Sequence, residues 1–353
     1  MNIHPWNQGL AKKLAGALNS LPHALLLAGP PGLGKADFAQ WLAGLLLCAQ
    51  PTSDHHACGQ CHHCQLFHAA SHPDMHVVEP ESLFKNNEDL LARYAMRYAP
   101  EDKGRETRAS TVIRVDQVRA LIDVCQKRPQ TATRKVMLLC PAEALNTNAA
   151  NSLLKILEEP PADSLFLLVT HQRSRLPATI LSRCVRMDFT APDRAEALSW
   201  LTNQGLSEGI AAASLSLTGG APLEALRYSQ SGFLPQRMAL IADLESLLTR
   251  KDDAVSCALR WKAIGAGRCL SWLQGCLADL ATVLSTPSVS TLRNPDMQAQ
   301  LQAIQKRLNL KQLFHFAQLV GRHQSALGGA LDEQLILDDT LSRWTELGTI
   351  PRE

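Results

Sequence analysis

The stretch Gly29-Pro30-Pro31-Gly32-Leu33-Gly34-Lys35-Ala36, hereafter the phosphate loop, decides the fold of this chain. The apolar run that precedes it, residues 23–28, predicts a buried strand, and residues 37–43 after it have the apolar spacing of a helix. A glycine-rich turn between a strand and a helix is the context in which backbone N–H groups and the helix N-terminus bind phosphate. The sequence therefore predicts a phosphate-binding loop on a parallel sheet.

The residues of the phosphate loop divide into those that give its shape and those that would do its chemistry. Gly29, Gly32 and Gly34 allow the tight path of the chain, and Lys35 would reach the β- and γ-phosphates of a nucleotide. Ala36 stands at the eighth position, where Mg²⁺ needs a Ser or Thr hydroxyl. A methyl group cannot ligate a metal, so the loop has the shape of a nucleotide site but lacks one catalytic group.

The composition is that of a soluble globular protein. The chain has 353 residues, enough for two or three domains, and is 46% hydrophobic and 19% charged. Its net charge of +2 gives no global field that would recruit nucleic acid or a membrane. No apolar run approaches the roughly 20 residues that span a bilayer, and residues 1–6 do not begin a secretory signal. We therefore expect a cytoplasmic protein without membrane contact.

Four cysteines cluster after the helix that follows the phosphate loop: Cys48, Cys58, Cys61 and Cys64. Their spacing can place four thiolates around one tetrahedral Zn²⁺, and four protein ligands leave no open position for water, so the site would be structural. Two alternatives remain at this point. The cysteines could be reduced and unliganded, or a histidine could replace one ligand, the candidates being His55, His56, His62 and His63.

Residues 81–111 mix both charge signs with frequent turn formers. This pattern predicts a solvated, partly mobile insertion. A nucleic-acid-binding arm is the alternative, and it would use four arginines, namely Arg93, Arg97, Arg105 and Arg108. The acidic residues between these arginines reduce the positive electrostatic potential of the segment.

A second apolar run, residues 135–140, predicts another buried strand. In a phosphate-loop ATPase, an acidic pair at the end of this strand holds Mg²⁺ and acts on water. Cys140 and Pro141 occupy that place here, and neither can do that work. Glu143 is near in sequence, but it lies three positions along, where the next helix is expected, so it is disfavoured as a substitute base.

Further strands and helices alternate up to residue 190. Residues 146–159 have helical spacing, and the apolar runs 164–170 and 185–189 predict two more strands. Such alternation predicts an α/β fold, with a parallel sheet covered by helices on both faces. Beyond residue 190 the strand signal fades. Short helices are expected to residue 230, and the chain is helical from residue 231 nearly to its end.

Five motifs, taken in order, make the chain similar to the clamp-loader subunits of bacterial DNA polymerase III, which are AAA+ proteins. They are G-P-P-G-L-G-K (29–35), the four cysteines (48–64), N-S-L-L-K-I-L-E-E-P-P (151–161), F-L-L-V-T (166–170) and S-R-C (182–184). The resemblance implies an AAA+ domain over residues 1–190 with a zinc-binding insert at 48–64. It further implies a small helical lid domain at 191–230 and an all-α collar domain at 231–353.

The chain departs from the motor subunits of that family, gamma and tau, which hydrolyse ATP. Ala36 and the Cys140-Pro141 pair replace catalytic groups, and Leu223 stands where motor subunits carry a nucleotide-sensing arginine. The Ser182-Arg183-Cys184 motif is intact. This combination resembles the loader's stator, which does not hydrolyse ATP itself. By that resemblance, Arg183 would act in trans as an arginine finger on the ATP of a neighbouring motor subunit.

The same resemblance implies the partners. They would be the gamma and tau motor subunits and the delta subunit, with primed DNA and the sliding clamp reached through the complex. The nucleotidyltransferase activity of a DNA-directed DNA polymerase would belong to the holoenzyme and not to this chain. Two other hypotheses are an active ATPase subunit of the gamma/tau type and a zinc-containing nucleic-acid-binding module on an AAA+ scaffold.

Overall fold

The computed structural model describes residues 3–85, 87–100, 109–285, 292–327 and 331–348. The chain divides into two compact units, Met1–Thr190 and Ala191–Glu353. The finer division of the second unit into a lid and a collar domain stays a prediction.

The first unit is built on a five-stranded sheet with the order β2-β3-β4-β1-β5, in which every neighbouring pair of strands is parallel. This confirms the predicted α/β fold of the AAA+ class. The strands are β1 (Ala24–Ala28), β2 (Met75–Val78), β3 (Lys135–Leu139), β4 (Ser164–Thr170) and β5 (Val185–Asp188). Strand β2 was not predicted from the sequence.

Helices cover both faces of this sheet, because β1, β3 and β4 are buried along almost their whole length and need cover on each side. Alternate strand residues, such as Leu26, Met137 and Leu168, form one core with α6 and α7. Helix α2 packs against β1, β3 and β4. The helices of this unit are α1 (Gln8–Ala15), α2 (Lys35–Leu47), α3 (His62–His68), α4 (Glu81–Phe84), α5 (Leu90–Ala95), α6 (Val115–Cys125), α7 (Thr147–Glu158) and α8 (Ala178–Leu181).

The prediction of a solvated insertion over residues 81–111 is wrong for its first part. Residues 81–100 contain α4 and α5, and the aromatic side chains of Phe84, Tyr94 and Tyr98 are buried. Burial of apolar surface outweighs the polar, turn-rich composition that suggested exposure. Residues 101–108 of the predicted insertion, which include Arg105 and Arg108, lie outside the described residues.

The described residues of the second unit form helices joined by loops, with no strand among them. Helices α9, α10 and α11 share a small core that includes Leu201, Leu215 and Ala225. A larger core, centred on Trp261 and Trp344, joins α12 to α17. The helices are α9 (Arg194–Asn203), α10 (Glu208–Leu217), α11 (Pro222–Gln230), α12 (Phe233–Leu248), α13 (Ala254–Ile264), α14 (Ala266–Ser285), α15 (Gln298–Gln305), α16 (Leu310–Ala326) and α17 (Glu333–Leu347).

Candidate functional site

The phosphate loop follows β1 and leads directly into α2, as the sequence predicts. Two of its glycines are required by close approaches. Gly29 has φ +155°, and a Cβ there would lie 2.3 Å from the carbonyl oxygen of Phe189. Gly34 has φ +78°, and a Cβ there would lie 2.4 Å from the ring of His4. A side chain at either position would force its neighbours apart, so the loop keeps its shape only with glycine.

Lys35, the residue predicted to reach phosphate, points at the loop itself. Its side chain is buried, and Nζ donates hydrogen bonds to the carbonyl oxygens of Gly29, at 2.6 Å, and Pro30. Burial lowers the pKa of Lys35 to about 8, against the opposing charges of Cys140 and Glu143. The ammonium group therefore satisfies backbone acceptors at the place where a nucleotide-binding loop would offer it to phosphate.

A short N-terminal segment, residues 4–7, lies on the phosphate loop. The Nε2 atom of His4 is 3.0 Å from Oδ2 of Asp37. Trp6 Nε1 and Asn7 Nδ2 donate to the carbonyl oxygen of Leu33, at 3.1 and 2.8 Å. These contacts, which the sequence did not predict, fix the loop from outside. We call residues 4–7 the N-terminal strap.

The catalytic acids of an ATPase have no equivalent where β3 ends. Cys140 is buried there, and burial raises the pKa of its thiol. Glu143 lies three residues on, in a short 3₁₀ turn, and its Oε1 accepts a hydrogen bond from the backbone N–H of His171 at 2.9 Å. With Ala36 unable to bind a metal, the described residues at this end of the sheet include neither the Mg²⁺ anchor nor the acidic pair expected of an ATPase.

A second carboxyl group near this end of the sheet was missed by sequence reasoning. Glu79 follows β2 directly and is 6% exposed. Its burial, with a smaller contribution from the charge of Asp89, raises its pKa to about 7. The sequence signal for Glu79 would have been strand β2 itself, which was not predicted.

Arg183 lies in the loop between α8 and β5, with its side chain 29% exposed. Its Nη2 atom forms an ion pair with Oε1 of Glu158. Its Nη1 atom donates to the carbonyl oxygen of Thr179 at 2.8 Å and to Oγ of Ser182 at 3.3 Å. Burial raises the pKa of the neighbouring Cys184 thiol to about 11, so the flanking cysteine is a neutral packing residue here.

The four predicted metal ligands meet in space. The sulfur atoms of Cys48, Cys58, Cys61 and Cys64 all lie within 4.8 Å of one another. Among the described residues this group includes no histidine, so the arrangement favours a four-cysteine site over the alternatives with a histidine ligand. Backbone N–H groups donate to the sulfur atoms. The hydrogen bond from the backbone N–H of Cys61, and to a smaller extent the one from Gln60, lowers the pKa of the Cys58 thiol. Four thiols around one point could hold a metal ion.

His63, one of the four histidines considered as metal ligands, and two arginines of the alternative nucleic-acid arm have structural partners. His63 Nδ1 lies 3.0 Å from Nε2 of His72, whose ring in turn accepts from the backbone N–H of Asp74. Arg93 donates to the carbonyl oxygen of Ala69. Arg97 donates to three carbonyl oxygens, those of Ala70, His72 and Met75. Two of the four arginines of the alternative nucleic-acid arm are thus occupied in holding the segment before β2.

Asp74 joins the segment before β2 to the loop before β3. Its carboxylate accepts hydrogen bonds from the backbone N–H groups of Gln130, Thr131 and Ala132, at 2.7 to 2.8 Å. These bonds outweigh the opposing effect of burial and lower the pKa of Asp74. The residues after the cysteine cluster and the loop before β3 are therefore fixed to each other.

These features define a class of protein. A parallel sheet with a glycine-rich loop between strand β1 and helix α2 is the predicted P-loop domain of the AAA+ class, and here its phosphate loop lacks the Mg²⁺-binding hydroxyl. The sequence family described as "DNA polymerase III, delta subunit" matches residues 7–193, and the one described as "DNA polymerase III, delta subunit, C terminal" matches residues 231–346. The chain belongs to this DNA polymerase III family, and its relatives place it among the delta' subunits.

Two delta' relatives support this assignment over the whole chain. The DNA polymerase III subunit delta' of Pseudomonas aeruginosa is 35% identical over 350 residues, which are 98% of this chain and 98% of that protein. The delta' subunit of Yersinia pestis is 33% identical over 369 residues, with 99% and 97% of the two chains covered. A solved gamma subunit-related protein from Thermotoga maritima aligns with 96% of this chain and 99% of its own, at 16% identity and a TM-score of 0.40.

In the described part of the chain, no helix is both long and apolar enough to cross a membrane.

Proposed function

We propose that this chain is the stator of the DNA polymerase III clamp loader: a cytoplasmic subunit that does not hydrolyse ATP itself. It helps load the sliding clamp onto primed DNA, in a complex with gamma/tau motor subunits and the delta subunit. Its contribution to chemistry is Arg183, which acts in trans on the ATP of the adjacent motor subunit. Membership of the delta' family and the intact Ser182-Arg183-Cys184 motif support this proposal.

One observation carries the proposal. The chain's own phosphate loop turns its lysine onto backbone carbonyls and has no Mg²⁺ anchor, while Arg183 stays at the surface. A guanidinium group has a planar fork that bonds phosphate oxygens in pairs and keeps its charge at any working pH. Placed on the developing charge of a γ-phosphate, an arginine accelerates hydrolysis by about 10³–10⁵. A subunit that does not hydrolyse ATP itself can therefore still control ATP hydrolysis in the neighbouring subunit.

Two further parts of the proposal concern the metal and the assembly surface. The four clustered thiols match the preference of Zn²⁺ for tetrahedral sulfur ligands, and Cys48, Cys58, Cys61 and Cys64 would hold the ion as a structural element.

The helices from residue 231 onward would form the collar through which the subunits assemble. They leave large apolar side chains exposed, including Leu259 and Leu335.

The test is a reconstituted clamp loader that contains Arg183→Ala or Arg183→Lys. The complex should still assemble, because Arg183 is a surface residue. ATP turnover should fall at one site, and clamp loading onto primed DNA should slow. Lysine should restore only part of the activity, because it keeps the charge but loses the fork.

Arg186→Ala is the matched control, since Arg186 lies three residues along and is likewise exposed in an ion pair, with Asp188. It should leave ATP turnover unchanged. Wild-type turnover and loading by the Arg183→Ala complex would show that this arginine is not a finger. Turnover by the purified chain alone would favour the alternative, an active gamma/tau-like ATPase.

A further inference from the structure

The guanidinium group of Arg183 is held from two directions. The Thr179 carbonyl and the Ser182 hydroxyl come from the same short segment as Arg183. Glu158 comes from the last turn of α7, 25 residues away in sequence. It supplies the side-chain contact that ties Arg183 to a rigid helix of the sheet domain.

This ion pair does little for the stability of the fold. The Glu158 side chain is 49% exposed and that of Arg183 is 29% exposed, and solvent-exposed ion pairs contribute little to the free energy of unfolding. The effect of the contact on geometry is larger. An arginine side chain has several rotatable bonds, and a fixed carboxylate at Nη2, together with the Thr179 carbonyl at Nη1, selects one orientation of its fork.

Hydrogen-bonding capacity remains for a phosphate. A guanidinium has five N–H bonds, and the contacts to Glu158, Thr179 and Ser182 use three of them, which leaves one on Nη2 and the one on Nε. The Nε atom is buried and has no hydrogen-bond partner among the described residues. The remaining N–H of Nη2 therefore belongs to an atom that Glu158 already holds in place.

We propose that Glu158 is a positioning residue for Arg183: its carboxylate holds the guanidinium group in the orientation in which the remaining N–H of Nη2 meets the γ-phosphate of the neighbouring subunit's nucleotide. This inference rests on the proposed function, because it assumes that Arg183 acts in trans. Glu158 does not touch the nucleotide and acts only through Arg183. An oriented donor needs no reorganisation when charge develops, so its loss lowers the rate of the chemical step more than it weakens ATP binding.

The test compares reconstituted clamp loaders that carry Glu158→Ala, Glu158→Gln or the control Glu159→Ala. Glu159 is the adjacent acid at the end of α7, and it has no contact with Arg183 among the described hydrogen bonds. Glu158→Ala should lower kcat at the site served by Arg183 by about tenfold or more, with KM for ATP unchanged. Glu158→Gln keeps an oxygen acceptor and should remain within about threefold of wild type. Glu159→Ala should behave as wild type.

Two further measurements separate this inference from the proposed function. In an Arg183→Ala background, Glu158→Ala should cause no additional loss, because its effect passes through the missing arginine. If Arg183→Ala lowers ATP turnover but Glu158→Ala does not, or if the two losses multiply, the positioning role is wrong while the finger stands. If Arg183→Ala has no effect, the proposed function itself fails, whatever Glu158→Ala does.

Discussion

The imidazole of His4 lies 3.0 Å from the carboxylate of Asp37, and this contact ties the N-terminal strap to the first turn of α2. The strap also places two donors on the carbonyl oxygen of Leu33, inside the phosphate loop. The loop is thus held by residues of the chain itself, from outside by the strap and from inside by Lys35. In an active ATPase the loop lysine and the loop backbone contact the phosphates of the nucleotide instead.

We expect the isolated chain to hydrolyse no ATP above background. Ala36 removes the Mg²⁺ anchor, and Cys140-Pro141 provides no base, so water is not activated even if nucleotide enters. The measurement is phosphate release by purified protein, with Lys35→Ala as the matched control. Turnover that disappears in Lys35→Ala would contradict the stator assignment, because it would show that this loop is catalytic.

We expect one zinc ion per chain, held by the four-cysteine cluster. Cys61→Ser should lose the metal and destabilise the first unit, because a closed thiolate site contributes directly to folding. Elemental analysis of freshly purified protein measures the metal content, and thermal unfolding measures the stability. ATP turnover should change little in any complex that still forms.

The control for the zinc prediction is Cys125→Ala. Cys125 is buried in the core of the sheet, away from the cluster, so its removal should lower stability and leave the zinc content at one. Freshly purified wild-type protein without metal would rule the site out.

Glu79 should make the stability of the first unit depend on pH. Its pKa is about 7 in the folded chain against an ordinary 4.5, so the folded state retains the proton that the unfolded state releases. The free energy of unfolding therefore loses a contribution as pH rises from 4.5 to 7, and the cost reaches about 3 kcal/mol above that range. Glu79→Gln, which cannot ionise, should stabilise the protein by up to that amount at pH 8 and hardly at pH 4.5.

Chemical denaturation of wild type and variant at the two pH values measures the difference. Glu88→Gln changes an exposed carboxyl group in the same region and should have no effect at either pH. An equal effect of Glu79→Gln at both values would mean that ionisation of Glu79 does not oppose folding.

The exposed apolar residues of α13 and α17 should be needed for assembly. Leu259 and Leu335 are 57% and 62% exposed, so Leu259→Asp combined with Leu335→Asp should leave the melting temperature almost unchanged. The same double variant should weaken incorporation into the clamp loader, measured by co-elution with the motor and delta subunits. Ile210→Asp, an exposed apolar position outside these helices, is the comparison. Full incorporation of the double variant would remove this surface from the assembly.

Local sequence patterns predicted the interior strands of the sheet and one helix that packs on it. Strands β1, β3 and β4 are continuous apolar runs, and α7 has a clear apolar stripe, so their bounds were correct to within a residue or two. Strand β2 was missed, although β5, which is equally short, was predicted. In the candidate site, the cysteine cluster was predictable because its four cysteines are close in sequence and have the spacing that is typical of zinc sites.

Contacts between distant residues were not predictable. Nothing in the sequence near Arg183 indicates Glu158, and nothing near Asp74 indicates its bonds to residues 130–132. The inward turn of Lys35 depends likewise on which acceptors the folded loop offers. Periodicity describes which side of an element is buried, whereas these interactions depend on which elements meet.

The parallel order of the sheet has a consequence for synthesis of the chain. Strand β1 leaves the ribosome well before both of its neighbours, β4 and β5, which lie more than a hundred residues later in the sequence. At translation rates of about 5–20 residues per second, the run Ala-Leu-Leu-Leu-Ala stays unpaired for on the order of ten seconds. The nascent chain thus carries an exposed apolar strand for most of the synthesis of its first unit, and this strand is where chaperones would bind.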